Sequence, residues 1–539
     1  MLKWNFADVW ETVAECIPDA RAQSHGDRVL SWRETEARAS GVGATLRGVL
    51  DHQSKVAIYL YNCPEYMETA FGCLKGSLVP VNTNYRYGVE ELRYIWNDAD
   101  AQAVVFHGAF TPIADQVRSG EHDIRLWIHV DDGTVPCPDW AVSYEDATLQ
   151  RSSHHYVSQR SGDDMILIYT GGTTGRPKGV MWRQHDLYRV SDTAHDPAEM
   201  DLGVVCDRIL RKPSRPVGVS AAPLMHGTGY VFSGTILSRG GELVVLDNRR
   251  FDPIELLDTV STRRATALCI VGEAFGRPIV EALDAEPDRW DLSTLEAVSS
   301  AGMVWRAESK QRLLRHVPNA ILVDLLNSSE ASGIGRSITS ASGAAGTGEF
   351  KLGRHTTVVG PDGEIVKPGS GVQGRLAVSG HLPLGYYKDP EKTAQTFQQI
   401  DGVRYSFPGD IATVEPDGTI RLLGRGSGVI NTGGEKVFPE EVEDVLRDDP
   451  FVVDVIVVGI PDERMGEVVA GIVQLVDGQD PDISAILTRA KDRLARYKIP
   501  RLLIPVESVF RAPSGKADYM AVRRRIQEDL ERSNDSTYP

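Results

Sequence analysis

From about residue 54 to 326, short apolar runs alternate with segments of helical period, and this alternation leaves few folds open to the chain. The run 55–61 (KVAIYLY) leads into a helix-period stretch at 65–75. Further strand-like runs follow at 103–106, 165–169, 217–221, 242–246, 267–271, 297–300 and 320–325. Strands separated by helices favour parallel pairing, because a parallel neighbour needs the long crossover that a helix supplies. The reading is an α/β fold with doubly wound subdomains.

After Ser332 the texture changes. Turns such as Pro361-Asp362-Gly363 and Pro416-Asp417-Gly418 separate strand-like pieces at 356–359, 374–379, 412–415 and 419–423, which predicts a β-rich subdomain over about 350–424. From Pro439 a pattern of helix (440–447), two strands (452–459 and 468–476), helix (483–496) and strand (502–506) predicts a small α+β domain. The expected division is a large N-terminal domain over 1–426, a small mobile C-terminal domain over 427–532, and a polar tail at 533–539.

The chain of 539 residues carries a net charge of −17, so a generally basic face for nucleic acid is excluded and an anionic substrate must be met by local cations. Its six cysteines (Cys16, Cys63, Cys73, Cys137, Cys206, Cys269) are scattered without a CxxC pair, and read as reduced thiols of a cytoplasmic protein with neither zinc site nor disulfide framework. No signal-peptide shape opens the chain and no run of about 18 apolar residues interrupts it, which predicts no integral membrane segment.

Directly after the apolar run 165–168 comes YTGGTTGRPKGV, residues 169–180. Gly171, Gly172, Gly175 and Gly179 free backbone N–H groups to turn toward an anion, Thr170, Thr173 and Thr174 add hydroxyl donors, and Lys178 supplies a compact charge. The stretch reads as a grip for the outer phosphates of a nucleoside triphosphate. It is not a Walker loop, since Pro177 precedes Lys178 and Gly179 follows it. The plain alternative is a surface turn rich in glycine and threonine.

Five further stretches follow in order: Pro223-Leu224-Met225-His226-Gly227, Ser299-Ser300-Ala301-Gly302, Asp324-Leu325-Leu326-Asn327-Ser328-Ser329-Glu330, Tyr405-Ser406-Phe407-Pro408-Gly409-Asp410, and 424–435 (GRGSGVINTGGE) with the later Arg511-Ala512-Pro513-Ser514-Gly515-Lys516. Together with the phosphate loop they make the chain resemble the adenylate-forming superfamily of acyl-CoA synthetases, luciferases and adenylation domains, over roughly residues 25 to 525. The stretches TGGTTG, PKGVMWR, GYYKDPEKTAQTF and GGEKVFPEEVE resemble actinobacterial acyl-CoA synthetases that act on fatty acids or sterol side chains.

That resemblance implies roles. His226 sits beside the acyl pocket and the phosphates; Ser300, Ala301, Gly302 and Asp324 meet the adenine; Glu330 holds Mg²⁺ against the phosphates, with Ser329 in place of the usual threonine. Asp410 accepts hydrogen bonds from the ribose hydroxyls, and Arg425 contacts the nucleotide. Gly433 and Gly434 border the path of the pantetheine arm, while Lys516 bridges the substrate carboxylate and the α-phosphate. Thr170, Glu330, His226 and Lys516 are the implied catalytic set, and ATP, Mg²⁺ and CoA the implied cofactors, with a fatty or steroid side-chain carboxylic acid as the implied small-molecule substrate.

Two departures stand out. Leu326 replaces an aromatic and Asn327 a glycine, so the acyl pocket is expected to be narrowed or made polar. The implied activity is ATP-dependent carboxylate–CoA ligation through an acyl adenylate. One rival reading is activation of a small acid, an aryl acid or nitrite, for a non-CoA acceptor; another is a nucleotide-binding sensor without catalysis.

Overall fold

Lys55–Tyr59 is buried along almost its whole length, the mark of a strand covered on both faces, as parallel sheets require. It belongs to the first of three sheets in a computed structural model that describes residues 4–120, 123–150, 160–170, 176–191, 202–212, 214–303, 305–343, 349–425, 428–476, 482–510 and 519–535. In this sheet Val79–Asn82, Lys55–Tyr59, Ala101–His107 and Leu126–Val130 run parallel. Met165–Thr170 joins in parallel through Val81 and Leu167, and Gly385–Tyr386 pairs antiparallel with Lys178–Arg183.

The second sheet sets Glu242–Val245, Val217–Ser220, Ala267–Ile270, Ala297–Ala301 and Ile321–Ser328 side by side in parallel. The β-rich part expected over about 350–424 joins this second sheet. Ile321–Ser328 turns back antiparallel into Ala331–Thr339, and the ladder passes on through Glu349–Leu352 to Thr419–Arg425. The β-rich part therefore extends the second sheet, although it keeps its own core of Ile334, Val358, Leu376, Ala412 and Ile420.

The chain divides into two compact units: Met1–Tyr85, Tyr94–Thr170 and Gly179–Gly424 form one, while Arg425 onward, with Arg86–Arg93 and the piece ending at Lys178, forms the other. In the smaller unit Val452–Asp462 pairs antiparallel with Gly466–Leu475, which pairs parallel with Leu502–Val506. Alternation sorts its side chains: Val455 and Val457 face the helices Pro439–Arg447 and Ile483–Ala490, while Ile456 and Val458 face Tyr519–Asp535.

Three expectations are corrected. The helix expected over 483–496 ends at Ala490, and turns carry the buried Leu494 to a 3-10 turn at Arg496–Lys498. The last helix continues to Asp535, past the predicted start of a polar tail at 533. Cys16 and Cys206, 190 residues apart, are disulfide-bonded with Cα atoms 6.0 Å apart, so the reading of six thiols fails for this pair. Among the described residues no helix is long and apolar enough to cross a membrane.

The buried helix Pro64–Lys75 carries two acids into the core. Arg38 Nε donates to both oxygens of Glu68 at 3.0 Å, Tyr144 Oη adds a third bond at 3.2 Å, and Arg28 pairs with Glu65. Burial, reinforced by the Glu65 charge and opposed by Arg38, pushes the Glu68 carboxyl up to about 7 from 4.5. The folded chain thus keeps a proton that the unfolded chain releases across this window, and stability falls as pH rises from about 4.5 to 7. Urea midpoints at pH 5 and pH 8 should show Glu68→Gln gaining on the parent as pH rises; a difference constant with pH would contradict this.

Candidate active site

In parallel α/β sheets, ligands collect beyond the carboxyl ends of the strands, where loops and helix N-termini converge. Most of the residues singled out above lie at such ends. Thr170 closes Met165–Thr170, Ala301 closes Ala297–Ala301, and Ser329 and Glu330 follow Ile321–Ser328. His226 lies six residues beyond Val217–Ser220, immediately ahead of the helix Gly227–Ser238.

Side-chain hydrogen bonds tie these ends together. The Asn82 amide at the end of Val79–Asn82 donates to Tyr169 O at 2.9 Å and to Met225 O at 2.7 Å, and accepts Tyr169 N–H at 2.7 Å. Asn62 accepts Leu224 N–H at 2.7 Å and donates to Ala222 O at 3.1 Å. The loop that carries His226 is thereby stapled to the first sheet, beside the root of the phosphate loop.

A second set of ties fixes Ser329 and Glu330. Trp182 Nε1 donates to Ser329 O at 2.9 Å, and Tyr386 Oη donates to Glu330 Oε1 at 2.8 Å. Both donors come from strands of the first sheet, and burial together with the Glu330 charge raises the Tyr386 phenol well above its usual range, so it stays a donor. Tyr169 is likewise held protonated by burial and by its 2.6 Å bond to Asp98. The Tyr169 ring lies where a Cβ on Gly179 would stand 2.7 Å from it, so glycine is required there by close approach.

The strip Ser300–Gly302 lies at the end of Ala297–Ala301. Ser300 is buried and its hydroxyl accepts Gly272 N–H at 2.9 Å, which fixes the start of the helix Gly272–Ala285; Gly302 has φ +91°, open to glycine at little cost. Asp324 sits opposite Ser300 in the ladder, and its carboxylate receives the buried Lys310 ammonium. Burial outweighs that pairing and raises the Asp324 carboxyl.

The two departures have these surroundings. Leu326 packs against the core of the β-rich part, and Asn327 Oδ1 accepts Gly333 N–H at 2.7 Å, closing its own hairpin turn. The amide oxygen of Asn327 is thus engaged with backbone rather than offered to a ligand.

Asp410 is buried at the head of Asp410–Val414, and Arg425 ends Thr419–Arg425. These two lie on the antiparallel extension rather than at parallel strand ends. Lys178 opens Lys178–Arg183. Gly433 and Gly434, in the smaller unit, form the two-residue turn between Ile430–Thr432 and Glu435–Val437 with φ of +58° and +86°, a turn in which both residues need the left-handed region. Gly171, Gly172, Thr173, Thr174, Gly175 and Lys516 lie outside the described residues. Among the described residues no group of three or more His, Cys, Asp or Glu side chains could hold a metal ion.

Asn82, Asn62, Trp182 and Tyr386 were not distinguished by sequence reasoning as site residues. Trp182 and Tyr386 fall inside the stretches PKGVMWR and GYYKDPEKTAQTF, which carried a resemblance without a role for either. Asn62 offered only a position, just past the predicted strand 55–61, and Asn82 offered none.

Comparison with known proteins agrees with this architecture. The AMP-binding enzyme family profile matches residues 10–387, and that of the AMP-binding enzyme C-terminal domain residues 441–516. A medium/long-chain-fatty-acid–CoA/3-oxocholest-4-en-26-oate–CoA ligase of Mycolicibacterium smegmatis is 37% identical over 529 residues, covering 96% of this chain and 95% of its own. A 3-oxocholest-4-en-26-oate–CoA ligase of Rhodococcus rhodochrous is 36% identical, with 96% and 94% covered. The solved structure of the amide bond synthetase McbA from Marinactinospora thermotolerans superposes with a TM-score of 0.78 at 21% identity, over 97% of this chain and 99% of that one, a likeness of fold. With a profile match across most of its length and relatives alike from end to end, the chain belongs to the AMP-binding enzyme family.

Proposed function

We propose that the protein joins an apolar carboxylic acid, a fatty acid or a steroid side-chain acid, to CoA in two steps. The observation that carries this reading is the likeness across 96% of the chain to ligases of such acids. The helix that starts behind His226 lines a small apolar cavity with Phe6, Trp10, Leu187, Tyr188 and its own Tyr230 and Val231.

A carboxylate is a poor electrophile because its charge is delocalised and oxide is no leaving group. In the first step a carboxylate oxygen attacks the α-phosphorus of ATP in line, the bond to the β-phosphate breaks, and pyrophosphate leaves. Thr170, the 171–175 loop and Lys178 are proposed to hold the departing phosphates. Lys516 neutralises the charge that gathers where one anion attacks another.

The strip Ser300–Gly302 with Asp324 receives the adenine, Asp410 the ribose hydroxyls, and Arg425 the nucleotide from the start of the small domain. In the second step the CoA thiol, entering past Gly433 and Gly434, attacks the acyl carbon and AMP leaves with the bonding electrons. Between steps the small domain is proposed to turn about residues 426–428, removing Lys516 and admitting the thiol.

Glu330 fits a Mg²⁺ ion: Tyr386 takes one carboxylate oxygen, and the other is a hard donor of the kind that ion shares with phosphate. When bound, the ion would supply charge neutralisation on the triphosphate. The proposed location is the cytoplasm, where ATP and CoA are available.

The deciding experiment measures AMP and pyrophosphate release with medium- and long-chain fatty acids, a steroid-ring acid, ferulate and nitrite, each with and without CoA. Release that saturates with an apolar acid and yields its CoA thioester is expected. Turnover confined to nitrite or small polar acids, or product formed without CoA, would overturn the reading.

A further inference from the structure

Asn82 stands on no motif, yet its amide spends every hydrogen-bonding group on backbone at the two loops that meet in the site. One donor reaches Tyr169 O, the other Met225 O, and the carbonyl accepts Tyr169 N–H. Only one orientation of the amide satisfies all three, because Tyr169 N–H must face the oxygen. The backbone ladder pairs Val81 with Leu167, and the Asn82 side chain adds the next rung, to Tyr169, beyond the last paired residue. Its second donor then crosses to the other parallel sheet, at the residue before His226. Tyr85 N–H, three residues on, reaches Met225 Sδ at 3.4 Å, a second tie between the same segments.

The chemical consequence follows from in-line displacement, which tolerates little error in the offset between the attacking carboxylate and the phosphate that leaves. Thr170 roots the loop proposed to grip the phosphates and His226 adjoins the proposed acyl site. The peptides before each of them are gripped by one rigid planar group. We infer that Asn82 is a positioning residue that sets the strand end Tyr169–Thr170 against the loop carrying the acyl-side histidine; this rests on the adenylation reading above.

Asn62 supplies a comparison, since it also gives two hydrogen bonds to the 222–226 loop but none to Tyr169. A merely structural role predicts equal damage from either asparagine. The positioning role predicts that Asn82 alone couples loop and histidine.

The test is acid-dependent exchange of pyrophosphate into ATP by the full chain, with the best acid of the panel, alongside thermal unfolding. Asn82→Ala should lower the exchange kcat about 30- to 100-fold with the KM for ATP moved less than about threefold, since a displacement near 1 Å can cost about 10²-fold. Asn62→Ala should lose less than about fivefold. In an Asn82→Ala/His226→Ala double variant, the loss beyond His226→Ala alone should be under about threefold, because both act on one geometry. Asn82→Ser, which keeps one donor, should recover to within about tenfold of the parent and serves if the alanine variant does not fold.

Equal losses at Asn62 and Asn82, multiplicative losses in the double variant, or an Asn82→Ala enzyme within threefold of the parent would each overturn the inference while the adenylation reading stands. A parent that exchanges no pyrophosphate with any acid overturns both.

Discussion

Lys310→Met is expected to destabilise the protein by about 3–5 kcal/mol, the usual cost of leaving one half of a buried ion pair behind. Lys310 lies on the helix Ala307–His316 with only 2% of its side chain exposed, its ammonium on Asp324 and 5.8 Å from the centre of the Trp305 ring. The methionine would fill the space of the lysine stem, so the loss comes from charge rather than volume. Asp324, on an inner strand and already raised by burial, would be left without its cation and would take up a proton more readily.

The loss should therefore shrink in acid, and Lys310→Met/Asp324→Asn should recover most of it. Urea unfolding of the three proteins at pH 5 and pH 8 measures both effects. A single-variant loss under about 1 kcal/mol would show that the pair is not a buried charge site.

Glu330→Gln should lower pyrophosphate exchange by about 10²–10³-fold, the range for removing one charged or hydrogen-bonding group that stabilises phosphate in a transition state. Glutamine is nearly isosteric and its carbonyl can still accept the Tyr386 hydroxyl, so the turn between Ile321–Ser328 and Ala331–Thr339 should survive. What disappears is the negative charge at the proposed phosphate and ion site. The apparent Mg²⁺ requirement should rise severalfold while the unfolding midpoint stays close to that of the parent. An unchanged Mg²⁺ titration with normal turnover would remove Glu330 from the proposed ion site.

Where a residue's behaviour depends on near neighbours in sequence, the chain could be read directly. Most of the parallel strands from Lys55–Tyr59 to Ile321–Ser328 follow from apolar runs set between helical stretches, and the small domain's strands from a period of two. The errors lie where local pattern competes with packing. The helix ending at Ala490 stops early as Leu494 is drawn into the core, and the β-rich part, legible as hairpins, gave no sign that it extends an existing sheet.

By itself the sequence determined the α/β class and most of the parallel strands from Lys55–Tyr59 to Ile321–Ser328, though not Val79–Asn82 or Leu126–Val130, because periodicity, turn chemistry and residue type are local properties. Tertiary structure alone decided that Asn82 meets Met225 across 143 residues, Trp182 meets Ser329 across 147, and Cys16 bonds Cys206 across 190. Those contacts depend on how sheets and helices pack across the domain, and the free energy that selects one packing is spread over whole cores rather than written at the residues that touch.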